Sequence, residues 1–486
     1  MEICGPQICK LEFGGRRIAP MNDNRQNGTS WVERTGIAIS NWTERWFPDA
    51  FVFALAGVVV VFIAGVLMGE PAGKLALEGG KSFWGLIPFT MQMAMVIIGG
   101  YIVATSPAVY RFIEWLARIP KTPKGAVAFI AFFSMASSLL SWGFSLIFSG
   151  LLTRAIAACM EKLDYRAAGS AAYLGLGAVW ALGLSSSAAL LMATKASIPP
   201  KLFEISGLIP LSQSIFLWQS VVMAAVLLGV SVLIAWWSAP AENGRTAKMF
   251  GIDPTPVKEA EIPASKPGEW LERSPLLNLC AAAILLWYIA DVFRTSPQGA
   301  LAALDLNTYN LIFITAGLLL QWTPGRFMRS VNRAVPAVGG VLIQFPFYAV
   351  IFGMISGTGI SSRLAEIFTA ATTHGTYPLL VALYSAGLGI FIPSGGSKWV
   401  VEASYVLAAA NAHQVHLGWV IQIYNAAEAL PNLVNPFWML PLLGILGLKA
   451  RDLVGYAFLQ LIVHVPLVFF LCWAFAQSLQ YIPPLK

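Results

Sequence analysis

The chain has 486 residues, of which 57% are hydrophobic and only 11% are charged, and its formal net charge is +7. Soluble domains carry about 25% charged residues, so this composition excludes an ordinary soluble protein and indicates a polytopic protein of the lipid bilayer. A small basic excess is expected from the cytoplasmic loops of such a protein, and we predict no nucleic-acid partner. The scattered cysteines and histidines indicate neither a disulfide framework nor a metal site.

The first 45 residues are polar and mixed in charge. No apolar core follows the early basic residues, so the segment does not resemble a signal peptide. Met21 is a second candidate for the translation start. Trp42 and Trp46 flank a short polar run before the first apolar stretch, which is typical of an anchor at the membrane interface.

Apolar runs in the first half predict membrane spans near residues 50–68, 83–104, 167–192 and 215–237. Residues 107–119 are amphipathic and basic at their edges, which favours a helix on the cytoplasmic surface. The apolar run 125–158 is too long for one membrane span and too short for two. Because Ser141-Trp142-Gly143 interrupts this run, we predict a first broken hairpin there.

Residues 239–274 are rich in proline and charge and show no apolar periodicity, so we predict a cytoplasmic linker between two halves. Apolar runs after the linker predict further spans near residues 276–292, 309–322, 335–355 and 453–475. Together with the broken segments, the chain predicts an all-α polytopic membrane protein with about 9–11 transmembrane helices.

A second break, Pro393-Ser394-Gly395-Gly396-Ser397-Lys398, divides the apolar sequence between Tyr377 and Ala410. Proline removes a backbone donor and paired glycines disfavour helix. Irregular backbone at membrane depth survives only inside the protein or beside a cavity. The flanking arms are too short for clean spans. We therefore favour a re-entrant hairpin tip or an unwound helix over a short loop outside the membrane.

The two halves share landmarks at an offset of about 252 residues. Gln92 corresponds to Gln344, the Ser141 break to the Ser394 break, and the serine run 185–187 to the polar segment 432–436. Counted spans give these pairs opposite directions, which predicts two inverted-topology repeats, each with a re-entrant or broken hairpin. The predicted boundaries are a polar segment at 1–45, the first repeat at 46–238, the linker at 239–274 and the second repeat at 275–486.

Glu428 is the sharpest chemical signal, because an ionisable residue within an apolar segment usually faces a cavity or a partner. Asn432 and Asn435 follow four and seven residues later and share its helical face. A carboxylate with two amides suits a site for a coupling proton or sodium ion. Alternatively, Glu428 lies outside the bilayer near the interface.

Candidate substrate ligands lie at both breaks and beside them. The hydroxyls and backbone amides of the second break suit an anion at a helix N-terminus. Lys398 either binds a substrate carboxylate or pairs with Glu402. Small hydroxyl residues also commonly mediate helix packing, and the glutamines either face a lumen or bond between helices. The candidate substrate-binding residues are Ser141, Trp142, Ser185, Ser187, Gln344, Ser394, Gly395, Gly396, Ser397 and Lys398.

No HExxH, GxSxG or P-loop motif occurs, and no nucleophile–base spacing suggests an intramembrane enzyme. We therefore predict that the protein is not an enzyme and not an ATP-driven pump. Three function classes stay open from the residues alone: a secondary carrier working by alternating access, a channel conducting small anions and, with no motif in its favour, an integral-membrane enzyme.

Several motifs together resemble the bacterial short-chain fatty acid transporter family, part of the broader ion transporter superfamily. They are FTMQMAMVIIGG, SWGF, SSSAALLMAT, LIQFPFYA, IPSGGSKWVVE and ExxxNxxNPFWMLPLLGILGLKARDLVGY. The similarity runs from about Trp46 onward and implies an inner-membrane secondary transporter for acids such as acetoacetate or butyrate. The superfamily's inverted repeats, each with a re-entrant hairpin, agree with the pattern above.

The resemblance also implies roles by position: Ser394, Gly395 and Gly396 form a hairpin tip, and Glu428 and Asn432 belong to a polar helix. This chain departs from the expected pattern at three positions, with Lys398 in place of histidine, Glu402 in place of an uncharged residue and Asn435 in place of glutamine. We expect cation-coupled symport without a further cofactor, other substrate acids being an alternative, and a homodimer.

Overall fold

The computed structural model describes residues 45, 50–241, 244–255, 266–296, 299–392 and 394–484. Apart from Arg45, the predicted polar segment 1–45 lies outside the described residues, as does Pro393 of the second break. The described chain is almost entirely helical.

In the first half, long apolar helices alternate with short connecting helices. In chain order they are α1 (Ala50–Leu67), α2 (Ala72–Ser82), α3 (Ile87–Ala104), α4 (Pro107–Leu116), α5 (Pro123–Leu140), α6 (Trp142–Cys159), α7 (Tyr165–Leu174), α8 (Ser187–Ala193), α9 (Pro200–Ser206) and α10 (Trp218–Ser238).

The second half begins after the linker. Its helices are α11 (Glu269–Arg273), α12 (Leu276–Thr295), α13 (Leu306–Gln321), α14 (Pro324–Ala334), α15 (Gly339–Gly357), α16 (Ile360–Ala371), α17 (Tyr377–Phe391), α18 (Gly395–Ala412), α19 (Leu417–Asn432), α20 (Pro436–Leu446) and α21 (Ala450–Ala476).

Eight helical segments of the described chain are long and apolar enough to cross a membrane, and two shorter apolar helices, Phe51–Leu67 and Tyr377–Phe391, accompany them. The eight are one fewer than the lower end of the predicted range of nine to eleven, and the two shorter helices fall below the length of a full span. The prediction of an all-α polytopic membrane protein is therefore confirmed.

The first broken hairpin forms as predicted. Helices α5 and α6 pack against each other along their length, and the chain reverses at Ser141, which is fully buried. The next apolar stretch is not one continuous helix. After α7 it passes through a π-helical turn, Gly175–Val179, and a 3-10 turn, Trp180–Leu182, before α8 begins.

The second half repeats this order of elements. Helix α17 ends at Phe391 and α18 begins at Gly395, while a second break at 433–435 separates α19 from α20. The arms of the first break here contact each other little, because α17 packs on α19 while α18 packs on α15 and α16. The recurring order is observed, whereas the opposite direction of the two halves across the membrane stays a prediction, as do the domain boundaries.

Helices α18 and α19 form the centre of the protein. Almost every residue of both is buried, including Lys398, Glu402 and Glu428 and the amide side chains of α19. The periphery is different, since α12 buries few residues and exposes 81% of Trp287. An apolar outer surface around a polar interior is the expected arrangement in lipid, where polar groups must find partners inside the protein.

The described part of the linker is fastened to the helical bundle. The buried carboxylate of Asp164 accepts hydrogen bonds from the backbone amides of Arg166, Ala167 and Arg245. The guanidinium of Arg154 donates to the backbone carbonyl oxygens of Ile445 and of linker residues. These bonds hold the linker against the ends of α6, α7 and α20.

Candidate functional site

A cavity of about 160 Å³ lies between the two breaks at the centre of the protein. Its volume is below the roughly 300–1,000 Å³ of sites for drug-sized ligands, which suits a molecule of few heavy atoms. The described walls come from both halves and carry no acidic or basic side chain. Aliphatic and aromatic groups predominate, among them Met93, Ile97, Leu146, Leu176, Phe345 and Trp438.

The N-termini of two long helices reach this cavity. Trp142 and Gly143 begin α6, and Gly395 and Gly396 begin α18. The first-turn amides of a helix have no partner within the helix, and they attract anions together with the helix dipole. Both breaks therefore direct backbone donors toward one space.

The two helix starts differ in how their amides are satisfied. The Ser141 hydroxyl caps α6 by accepting from the backbone amide of Phe144 at 3.4 Å. Ser394 makes no such cap for α18, since its hydroxyl hydrogen-bonds the Ser397 hydroxyl instead. The first turn of α18 thus keeps backbone donors available for a ligand in the cavity.

The described lining of the cavity also includes the polar side chains of Ser187, Gln344 and Asn432 and the indole of Trp180. The Trp180 Nε1 and the Asn432 Oδ1 are buried without a hydrogen-bond partner in the described structure. Buried polar atoms normally have partners. A small polar ligand would supply the partners that these groups lack.

Glycines allow the α18 start to approach its neighbours. A Cβ on Gly395 would overlap the six-membered ring of Trp180, and one on Gly396 would lie 2.7 Å from Phe89 Cζ and 3.1 Å from Ser187 Cβ. Any larger residue at these two positions would have to displace the cavity wall. The paired glycines are thus a steric requirement of the site.

Behind the cavity lies a buried cluster of three charged side chains: Lys398, Glu402 and Glu428 are each fully inaccessible to solvent. The Lys398 Nζ contacts Glu428 Oε2 directly and lies 3.8 Å from Glu402 Oε1. It also donates to the carbonyl oxygen of Ser385 at 2.6 Å and lies 4.6 Å from the centre of the Tyr424 ring. Lys398 thus holds the cluster together.

The carboxylates of this cluster are only partly satisfied. Glu402 Oε1 accepts from the Ser385 hydroxyl at 3.1 Å. Glu402 Oε2 and Glu428 Oε1 have no hydrogen-bond partner among the described residues. Burying a charge is costly unless it is paired and hydrogen-bonded, so this cluster is held in place by the surrounding fold.

The cavity and the cluster share two helices. On α18, Gly395 and Gly396 line the cavity while Lys398 begins the cluster, and on α19 Glu428 precedes the cavity residue Asn432 by one turn. Tyr424 joins the two regions, because its hydroxyl donates to the Gly395 carbonyl while its ring lies against the Lys398 ammonium. A change in the charge of the cluster can therefore alter the electrostatic potential in the cavity.

A family model described as short chain fatty acid transporter matches residues 31–475. The chain belongs to the short-chain fatty acid transporter family. An Escherichia coli K12 protein that carries the provisional name short-chain fatty acid transporter is 32% identical over 438 residues, covering 89% of this chain and 97% of that protein. A Haemophilus influenzae protein with the same provisional name is 30% identical over 446 residues, covering 90% and 98%.

Two solved structures share the fold of this transporter. The Alcanivorax borkumensis YdaH transporter, described as having an unusual topology, superposes with a TM-score of 0.57 at 14% identity, covering 89% of this chain and 98% of that one. Neisseria gonorrhoeae MtrF, described within a class of antimetabolite efflux pumps, gives a TM-score of 0.57 at 12% identity, covering 93% and 98%. Identities this low support the fold alone.

The structure places the predicted substrate residues of the transporter in two groups. The residues that line the cavity are Trp142, Ser187, Gln344, Ser394, Gly395 and Gly396. The others serve the surrounding structure: Ser141 caps α6, Ser397 bonds Ser394, Ser185 donates to the Ser138 carbonyl and Lys398 binds the carboxylates. Binding roles for either group stay predictions.

The predicted coupling-ion residues also separate. Glu428 lies in the charged cluster, Asn432 lines the cavity, and Asn435 is buried outside the lining. Of the two readings of Lys398, the internal pair is the one observed, with Glu428 as a closer partner than Glu402. Gln92 and Gln344 differ as well, because Gln92 bonds Asn307 and Ser197 rather than facing the cavity.

Sequence reasoning missed three groups that the structure brings to this region. Trp180 lies in a glycine-rich run, Ser385 is a lone hydroxyl in an apolar arm, and Tyr424 precedes Glu428 by one helical turn. The spacing of Tyr424 was a usable signal, since residues four apart share a helix face. Nothing in the sequence distinguishes Trp180 and Ser385 from ordinary packing residues.

Proposed function

We propose that this transporter carries short-chain monocarboxylates, such as butyrate or acetoacetate, across the bacterial inner membrane by cation-coupled alternating access. The observation that carries the proposal is the uncharged cavity faced by the uncapped first turn of α18. Such a cavity suits an anion with a short apolar tail, because donors lie at one side and apolar walls at the other.

In this proposal the carboxylate accepts from the backbone amides at Gly395 and Gly396 and from the Ser394 hydroxyl. The Trp180 indole N–H, which has no partner in the described structure, is a further donor on the same wall. The alkyl chain lies against Met93, Ile97, Leu146 and Phe345. Neutral donors bind an anion without fixing it as strongly as a lysine would, which favours its release on the other side.

The cavity's position favours a carrier. Its walls come from α3 and α6 in the first half and from α15, α18 and α19 in the second. Alternating access requires a substrate site between two bodies that move against each other, near broken helices. Movement of one half past the other would expose this cavity to each side of the membrane in turn.

Glu428 and its neighbours are proposed to hold the coupling cation. A cation that travels with the carboxylate cancels its charge and lowers the cost of moving it through a low-dielectric interior. Glu428→Gln should therefore abolish gradient-driven accumulation while leaving membrane insertion intact, since Lys398 keeps Glu402 as a partner.

The test is uptake of labelled butyrate and acetoacetate into proteoliposomes under a sodium gradient and a pH gradient applied separately. Protein-free vesicles measure the passive entry of the neutral acids, which must be subtracted. Accumulation by the wild-type protein, its loss in Glu428→Gln and counterflow with unlabelled acid are the expected results. Protein-dependent flux without counterflow would identify an anion channel, and no flux of either acid would overturn the proposed substrate class.

A further inference from the structure

The charged cluster contains one more acidic side chain than basic side chains. Lys398 contributes one positive charge, Glu402 and Glu428 contribute two negative charges, and all three side chains are fully buried. The formal sum is −1 when both carboxyls are ionised. A net charge enclosed in a low-dielectric interior is costly and is normally neutralised by a proton or another ion.

The structure assigns this neutralising ion as a proton, carried by Glu402. The assignment rests on the proposed transport function and names its coupling ion. Lys398 already lies between the two carboxylates, at the position that a sodium ion would need in order to share their oxygens. The three side chains of the cluster do not line the cavity. Unlike a sodium ion, a proton needs only one carboxylate oxygen as its binding site.

Glu402 is the better proton carrier of the two carboxyls. Glu428 makes the direct contact with the Lys398 ammonium, whereas Glu402 lies 3.8 Å from it. Glu402 Oε2 and Glu428 Oε1 both lack a hydrogen-bond partner among the described residues, so either could take a proton without losing an existing bond, and the longer distance to Lys398 is what favours Glu402. Protonation of Glu402 leaves the Lys398–Glu428 ion pair intact and makes the cluster neutral.

Among the described residues, no group other than these three supplies the missing charge. The titratable side chains that act on the two carboxylates from the packed helices are tyrosines, which are neutral at physiological pH. They are Tyr348 on α15, Tyr377 and Tyr384 on α17, Tyr405 on α18 and Tyr424 on α19.

Protonation is coupled to substrate binding through charge. Glu428 and the cavity residue Asn432 are separated by one helical turn, about 6 Å of rise along α19. An ionised cluster repels a carboxylate at that range in a low-dielectric interior, and the protonated cluster does not. The acid anion and the proton therefore bind together, and the loaded transporter carries no added net charge.

The experiment measures butyrate affinity by the thermal shift of detergent-purified protein, across a pH range in which butyrate stays ionised, with sodium or choline as the salt cation. Wild-type protein should lose affinity as pH rises, approaching tenfold per pH unit, with no dependence on sodium. Glu402→Gln should give a flat profile. Glu366→Gln, which removes an exposed carboxylate on α16, is the control and should keep the wild-type profile.

A flat wild-type profile would overturn the proton assignment, as would sodium dependence or an unchanged pH profile in Glu402→Gln. Because the wild-type measurements stand alone, the test does not depend on the variant folding. Absence of butyrate and acetoacetate binding under every condition would instead overturn the proposed substrate class, and the proton assignment with it.

Discussion

The two broken segments meet at one cavity but are built differently. At the first, α5 and α6 pack together as a hairpin, Ser141 caps α6, and the residues described in the cavity lining carry no charge. At the second, α17 and α18 diverge, the start of α18 is uncapped, and Lys398 begins a charged cluster one turn behind the cavity. In the proposed mechanism the first break provides a wall, while the second provides the donors for the anion and the charged cluster that is coupled to its binding.

The largest expected effect is the loss of Lys398, because the difference between the two breaks depends on this residue. Lys398→Met leaves two buried carboxylates without their cation, and breaking a buried ion pair from one side costs about 3–5 kcal/mol. We expect a large drop in the thermal unfolding temperature in detergent. The double variant Lys398→Met with Glu428→Gln should recover part of this loss, and equal destabilisation of both would contradict the ion-pair account.

A glycine pair on α17 gives a more local test of the cluster. A Cβ on Gly389 would lie 2.8 Å from Glu428 Oε2 and 3.5 Å from Lys398 Nζ, whereas a Cβ on Gly387 would meet nothing within 4 Å. Gly389→Ala should therefore reduce gradient-driven butyrate uptake severalfold or more, and Gly387→Ala should leave it near the wild-type rate. Similar uptake by the two proteins would place the cluster outside the transport cycle.

The serines at the two helix starts should have opposite phenotypes. Ser394→Ala removes a donor from the cavity and should raise the KM for butyrate by a few-fold to about tenfold, since one hydrogen bond contributes about 0.5–1.5 kcal/mol. Ser141→Ala removes a helix cap and should cost about 1 kcal/mol of stability with little change in KM. Reversed phenotypes would mean that the first break binds the carboxylate.

The smallest expected effect separates the two glutamines. Gln344 lines the cavity, so Gln344→Leu should shift the preference among acids of different chain length without a large loss of stability. Gln92 bonds Asn307 and Ser197, so Gln92→Leu should lower thermal stability and leave the substrate preference unchanged. Competition by unlabelled acids in the uptake assay measures the preference of each variant.

The positions of both breaks could be predicted from the sequence, because proline, glycine and serine within an apolar run have few compatible structures in a membrane. The helical class and the family were likewise predictable. The partner of Lys398 was not, since Glu428 lies thirty residues away and reaches it only because α17 and α18 diverge and α19 fills the space between. Sequence spacing favours local pairs such as Lys398–Glu402, whereas tertiary packing decided this one.

The same limit applies to the polar candidates. Ser185 and Ser187 are equivalent in the sequence, yet one bonds the Ser138 carbonyl and the other faces the cavity. A 3-10 turn, Trp180–Leu182, precedes both serines, and no local sequence pattern predicts it. Trp180 enters the cavity wall through the same irregular segment.

The most direct test of the central claim is the charge moved for each acid transported. Current and labelled butyrate flux can be measured on the same proteoliposomes on a solid-supported membrane, with protein-free vesicles as the blank. A carboxylate that travels with a cation held behind the cavity predicts protein-dependent flux with no net charge per acid. One negative charge moved per butyrate would contradict the account and identify uncoupled anion conduction.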